Sequence, residues 1–281
     1  MEGGDGREDS STCGRNWAML ARDVLIVIFL KLGTMEVLRA AGSVCRSWRK
    51  VATEEPVLWR RIRMINHGYF GSDAFKLVEP ARIAIDRSGG QLEWFAAANF
   101  ADDNLLQYLC DRTSVLKKLG LTSLGQLSAA ALTETAKRQP LLEEIQITFG
   151  PFSKKLTEIL GTACSHLKSF KLNHTRYNMP PPDPDNEEEI SNDDEALGIA
   201  KSMHQLRHLE LIGNRLTNEG LTAILDGCPH LETLDIRQCF NVDIYDDGLY
   251  ARCVRLKTFW FDYPDDEFDH DIDSDFDVGD D

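Results

Sequence analysis

NWAMLARDVLIVIFLKLGTMEVLRAAGSVCRSWRKVATEEPVLWRRI, residues Asn16 to Ile62, holds three short apolar-periodic runs and the tryptophans Trp48 and Trp59 in fewer than fifty residues. So short a segment cannot bury all that surface on itself, and a partner is implied. The first run begins after Leu20 and carries Val24, Leu25, Ile28, Phe29 and Leu32 at helical spacing, stopping at Gly33. The second, from Thr34, holds Val37, Leu38 and Ala41. The third follows Val44 and Cys45, places Trp48, Val51 and Ala52 on one face, and ends before Pro56, which introduces Leu58 and Trp59. Three such helices read as a docking module.

The order Leu20, Val24, Ile28, Leu32, Val44-Cys45, Trp48-Arg49, Pro56, Leu58-Trp59 resembles the F-box. That family usually opens with Leu-Pro. Here Leu20 is followed by Ala21, which removes a proline that presets a first helical turn. The resemblance implies a substrate receptor of an SCF ubiquitin ligase, docked on a Skp-type adaptor and through it on the cullin/RING ligase. It implies adaptor contacts at Leu20, Ala21, Val24, Ile28, Leu32, Val44, Cys45, Trp48, Leu58 and Trp59.

Downstream, Leu-x-x-Leu-x-Leu and near variants recur: Leu92/Phe95/Ala97, Leu116/Leu119/Leu121, Leu142/Ile145/Ile147, Leu167/Phe170/Leu172, Leu206/Leu209/Leu211, Leu231/Leu234/Ile236 and Leu256/Phe259/Phe261. Their starts differ by 24, 26, 25, 39, 25 and 25 residues, so the outlier is a loop of about 14 residues inserted into an unbroken period. No repeat can close a core alone; a strand points its apolar residues inward and a helix must cover them while the next coil stacks alongside. Helical patterns fall where this requires, at Leu105, Leu106 and Leu109, at Leu156, Ile159 and Leu160, and at Leu221, Ile224 and Leu225, with Thr217 a helix start. Cysteines precede the strand leucine by three at Cys164, Cys228 and Cys253. This resembles the cysteine-containing leucine-rich repeats that accompany many F-boxes, and the whole chain resembles plant F-box/LRR proteins of the SKP-interacting-partner type.

The net charge of −15 sits mostly in two segments. Eight acidic residues lie between Asp183 and Glu195 and ten between Pro264 and Asp281, with no lysine or arginine in either; without those eighteen the charge is +3. The first segment follows Pro180-Pro181-Pro182 and coincides with the insertion, so it reads as a solvated loop; the second reads as a solvated tail. In the tail Phe268, Ile272 and Phe276 recur every four residues, a pattern suited to an amphipathic helix. Its alternating aspartates resemble the start of a calcium loop but lack the glycine at the sixth position, which is Ser274, and the bidentate glutamate at the twelfth, which is Asp280.

Seven cysteines with no Cys-x-x-Cys pair argue against a disulfide framework or a zinc site, so no metal and no cofactor are expected. The longest apolar run, Val24 to Leu30, is too short for a bilayer, and the first residues have neither a basic region nor an apolar core, which predicts a cytoplasmic or nuclear protein. No phosphate loop, nucleophile elbow or His-Glu-x-x-His motif is present, and His204, His208, His166 and His230 fall at repeat turns, so no enzyme chemistry is expected. What remains is recognition. Residues alternating with the inward leucines project from the concave face, which gives Lys171, His208, Glu210, Asp235, Arg237 and Trp260 as candidate target-binding residues. Mixed charge there disfavours nucleic acid, which needs a basic stripe.

The expectation is therefore an α/β chain: a small all-α F-box of three helices over 16–62, a connecting or capping region over 63–91, and about seven strand-helix leucine-rich repeats over 92–263, with disordered acidic segments at 178–195 and 264–281 and a disordered N-terminus over 1–15. It is expected to be a monomer within a hetero-complex that recruits an unidentified target protein for ubiquitination. Two rivals keep the fold: a non-ligase scaffold with an F-box-like cap, and a ligand-gated F-box sensor.

Overall fold

A computed structural model describes residues 17–65, 77–122, 127–150, 153–174, 193–245 and 248–262. The expectations of disorder at 1–15 and 264–281, the acidic loop up to residue 192, and the calcium-like aspartates lie outside the described residues.

The chain opens with a turn at Trp17–Met19 and helix α1 (Arg22–Leu32). A composite helical stretch comes next: α2 (Thr34–Glu36), a π-helical turn (Val37–Ala41) and α3 (Gly42–Val44). Helix α4 (Arg46–Glu54) and a 3-10 turn (Pro56–Trp59) complete the expected helical module. From there strands and helices alternate: β1 (Arg61–Ile65), α5 (Val78–Arg87), β2 (Trp94–Ala98), α6 (Asp103–Arg112), β3 (Lys118–Thr122), α7 (Ala129–Arg138), β4 (Glu144–Thr148) and α8 (Lys154–Ala163). The series continues through β5 (Ser169–Asn173), α9 (Asp194–Ser202), β6 (His208–Glu210), α10 (Asn218–Gly227), β7 (Thr233–Asp235), α11 (Leu249–Cys253) and β8 (Thr258–Trp260). The strands form one sheet in sequence order, each pair parallel, as a right-handed strand-helix coil demands.

The register is the one the leucine spacing predicts. Phe95, Leu119, Ile145, Phe170, Leu209, Leu234 and Phe259 stand opposite one another in a single ladder. All but Phe259 are at most 3% exposed. Each contributes about 1.5–3 kcal/mol of apolar burial, which is what stacking neighbours supply and an isolated coil lacks. Capping side chains start the covering helices: Asp102 Oδ1 accepts the Leu105 N–H at 2.8 Å, Ser128 Oγ that of Ala131 at 3.1 Å, and Thr217 Oγ1 that of Glu219 at 3.3 Å. Such a cap is worth about 1 kcal/mol.

Two boundaries differ from expectation. The ladder begins one coil earlier, because Ile62 pairs with Phe95 and Met64 with Ala97, so that residues 63–91 contain the remainder of a first strand and its helix α5. The repeat motif there is Trp59-x-x-Ile62-x-Met64, with tryptophan in the place that leucine takes in every later coil. The acidic segment 178–195 also ends differently. Asp193 and Glu195 are buried, and Asp194 opens α9. The Asp193 carboxylate accepts both the N–H (2.8 Å) and the hydroxyl (2.6 Å) of Thr217, which compensates its desolvation and ties the end of the insertion to the start of α10.

Candidate functional site

Two surfaces concentrate side chains that the fold itself does not use. The first lies on the helical module. Leu25 and Phe29, four apart, bury one face of α1, and Phe29 meets Trp48 edge to face with ring centroids 5.4 Å apart. Trp48 is half-buried, its indole N–H donating to the Trp17 carbonyl at 2.9 Å, while Ser47 Oγ donates to the Ala18 carbonyl at 3.0 Å; together they pin the lead-in turn to α4. The Arg22 guanidinium forms a fork with both carboxylate oxygens of the buried Glu55, Nη2 to Oε2 being 2.6 Å, and joins the start of α1 to the turn at Pro56.

The opposite side of α1 is also apolar. Val24, Val27 (55%), Leu30 (55%) and Leu32 are exposed, as are Trp17, Met19 (79%) and Val44 (54%) elsewhere on the module. This exposed apolar face, interrupted only by the exposed Asp23 and Lys31, is more apolar surface than a helix needs to pack one side on a core, the kind of patch that marks an interaction surface. Of the expected contacts, Ala21, Val24, Leu32 and Val44 are exposed and Leu20, Ile28, Cys45, Trp48 and Leu58 half-buried. Trp59 is the exception. It is fully buried, its indole N–H donating to the Ala52 carbonyl at 3.1 Å and its ring lying 5.1 Å beneath the Arg87 guanidinium of α5. Its role is therefore internal: it joins the helical module to the first coil. Trp17, Met19, Val27 and Leu30 are not among the expected contacts, because the stronger apolar period marks the other face, and much of that face is core.

The second surface is the concave face of the sheet. Lys171 and Glu210, on neighbouring strands, pair at 3.3 Å, and the Asn173 amide donates to the other oxygen of Glu210. His208 Nδ1 lies 2.8 Å from Thr233 Oγ1. Asp235 holds Arg237 through Nη2 to Oδ2 at 2.7 Å and Nε to Oδ1 at 3.0 Å. This hydrogen bond, foremost, raises the Arg237 pKa and fixes its charge. Asp235 itself is only 5% exposed, so its carboxylate orients Arg237 and offers no free face to a target; the expectation for that residue is corrected accordingly. Trp260 is half exposed on the last strand, opposite Asp235. Five of the six expected residues lie on the adjacent strands β5 to β8 and Arg237 in the turn just after β7, with Lys171–Glu210 and Asp235–Arg237 as satisfied pairs.

The concave face also extends upstream to the exposed Arg61 and Arg63 on β1, a strand that the leucine spacing does not reveal. One position before each strand runs a ladder of charges, with Arg60–Glu93 at 2.6 Å, Lys117–Glu93 at 3.7 Å, Lys168–Glu143 at 2.8 Å, and Arg207 and Lys257 each 2.7 Å from Glu232. These are exposed pairs that contribute little stability, about 0–1 kcal/mol each, yet a one-coil slip would set like charges side by side. Among the described residues no cluster of metal-ligating side chains occurs, and no helix is long and apolar enough to cross a membrane.

The fold and these two surfaces define a strand-helix solenoid that carries a helical docking module at its upstream end. Residues 15–65 match the family model described as F-box-like. The chain is 40% identical over 247 residues to Putative F-box/LRR-repeat protein 22 of Arabidopsis thaliana, covering 87% of this chain and 76% of that protein. F-box protein SKIP19 of the same plant is 38% identical over 259 residues, covering 92% and 80%. Putative F-box/LRR-repeat protein 23 is 39% identical over 86% of this chain, which spans about half (52%) of that relative. A chain in the crystal structure of the Rad7 and Elc1 complex in yeast shares the fold, with a TM-score of 0.51 at 15% identity over 82% of this chain and 58% of that one. The protein belongs to the F-box/LRR-repeat family, in the group of plant proteins that includes SKIP19.

Proposed function

We propose that this protein is a substrate receptor of an SCF-type ubiquitin ligase, in which the helical module docks on a Skp-type adaptor and the concave face holds a target protein. The observation that carries this reading is the exposed apolar face of Val24, Val27, Leu30 and Val44 on a module whose other face is already core. Family membership supports the same assignment. The receptor supplies no nucleophile, acid or base; it raises the effective concentration of target lysines at a ubiquitin-loaded partner. The rim of Lys171, His208, Glu210, Arg237 and Trp260 offers the target oriented charges around an aromatic anchor.

The scaffold reading also has an observation in its favour. The Arg63 N–H of the first strand donates to Thr34 Oγ1 of the module at 3.1 Å, so the module closes the end of the sheet whether or not it binds an adaptor. One experiment decides between them. Val27→Asp/Leu30→Asp, at exposed sites, should leave the melting temperature within a few degrees of wild type and reduce capture of a purified Skp-type adaptor at least about tenfold, since two aspartates desolvated in an apolar contact cost more than about 1.4 kcal/mol. Arg237→Ala/Trp260→Ala should leave adaptor capture unchanged. No adaptor binding by the wild-type chain would assign the module to the scaffold role.

A further inference from the structure

Charge separates the helical module from the coils. Between Val37 and Thr53 the chain has four basic residues, Arg39, Arg46, Arg49 and Lys50, and no aspartate or glutamate, although the net charge of the whole is −15. Helix α4 puts three of them on one side. Arg46, Arg49 and Lys50 are spaced i, i+3 and i+4 and are all exposed, while Val51 and Ala52 are buried on the other side. Arg49 Nε donates to the Gly42 carbonyl at 2.9 Å, which lays this basic side against the turn that carries the exposed Arg39. Cations of the coils are held differently: Lys118 meets Glu144 at 2.9 Å, Arg138 meets Asp111 at 2.8 Å and Lys201 meets Glu158 at 3.0 Å, each in a neighbouring coil. Arg39, Arg46 and Arg49 meet no carboxylate among the described residues, and Lys50 has Glu54 of its own helix, at 3.9 Å.

Like charges at this spacing repel, so α4 keeps them at a cost to its own helix. What they complement is an acidic surface on another molecule. The basic side also continues an apolar one, because Val44 stands two residues before Arg46, and Ser47 and Trp48 tie the turn Trp17–Met19 to the first turn of α4. Trp17, Met19 and Val44 are all exposed. An apolar centre with a charged rim is the make-up of a protein interface. Nucleic acid fits less well, since backbone binding on the order of six to ten phosphates needs a longer basic stripe than four residues supply. An anionic membrane is the nearer rival, but a membrane-surface helix inserts the apolar side opposite its cations, and in α4 that side is already core.

We infer that the protein docked on this module presents a cluster of carboxylates to Arg39, Arg46, Arg49 and Lys50. The inference rests on the reading of the module as an adaptor-docking surface and adds the chemistry of the face that the adaptor brings. Docking then has two parts: the exposed apolar residues hold the complex, and the basic side of α4 steers the partners together and fixes their orientation. Arginine suits this task, because its planar fork pairs with both oxygens of a carboxylate.

Stopped-flow association of the full chain with a purified Skp-type adaptor tests this, in wild type and in Arg46→Glu/Lys50→Glu. Both sites are exposed, and a glutamate in the first turn of α4 suits the helix dipole, so the variant is expected to fold. The wild-type association rate should fall at least about tenfold between about 50 mM and about 500 mM salt. That of the variant should start at least about tenfold lower and vary less with salt, while the two dissociation rates stay within about threefold. A wild-type rate that ignores salt, or a variant that associates as wild type does, overturns the inference and leaves adaptor docking in place. No association of the wild type at any salt concentration removes the docking reading and the inference with it. Equal adaptor rates in the two proteins, with wild type alone binding phosphatidylserine-containing vesicles, overturn the inference and assign the basic side to a membrane.

Discussion

Trp59 shows how one residue can be read correctly in kind and wrongly in place. As an aromatic three residues after a helix-breaking proline it marks the end of a docking module, and its burial at the junction appears only once Trp59-x-x-Ile62-x-Met64 is recognised as the first coil. Tryptophan in the leucine position and a first interval of 33 residues to Leu92 hide the periodicity. The cysteines were legible, because Cys164, Cys228 and Cys253 fall at one register, and all are buried. Burial pushes the thiols of Cys164 and Cys228 up to about 12, from an ordinary value of 9.0. The folded chain then keeps protons that the unfolded chain releases, so this contribution is intact below about pH 9 and is lost as pH rises from there towards 12. Cys164→Ala/Cys228→Ala should therefore lose less melting temperature than wild type between about pH 8 and about pH 10.5. Parallel curves in a pH-resolved thermal melt would remove these thiols from the alkaline limb.

At the scale of elements, strand register was legible from β2 onward, since inward residues must alternate with period two and recur once per coil, while β1 was hidden by its tryptophan. Packing between the helices was not, because it depends on how closely backbones approach. Gly227, at the end of α10, shows this: a Cβ there would lie 2.3 Å from the Ala200 carbonyl oxygen of α9, a backbone atom that cannot swing aside. Gly227→Ala should cost about 1–3 kcal/mol in urea denaturation, the penalty of forcing packed elements apart. A methyl group on Gly42 would meet nothing within 4 Å, and the backbone there is ordinary helix, so Gly42→Ala should be neutral or stabilise by about 0.5–1 kcal/mol. Similar costs at the two glycines would mean that helix propensity, and not interhelical distance, governs both sites. The insertion between β5 and α9 was legible as an interruption of the period, but its anchoring by Asp193 was not: eight acidic residues in thirteen read as solvated, and only the facing Thr217 reveals which carboxylate is structural.

For the molecule as a whole, the order of modules was legible and their independence was not. The sequence reads as a hook in series with a stack of coils, because a short helical segment with excess apolar surface implies a partner. Part of that partner is the chain itself. Buried residues from Leu25 through Trp59 to Cys253 form one continuous core, in which the module closes the upstream end of the sheet and still presents Val24, Val27 and Leu30 outward. The apolar face of the module and the exposed face of the sheet are thereby held in one frame, as the proposed receptor role requires.

The shared core is tested most directly by hydrogen exchange in Trp59→Ala, a truncation expected to cost about 3–5 kcal/mol at a fully buried site. Protection is predicted to fall together in α1 and in β1 and β2, on both sides of the junction, at a lower denaturant concentration than in wild type. Loss of protection confined to the helices, with β1 and β2 exchanging as before, would contradict the shared core and restore the picture of two separate modules.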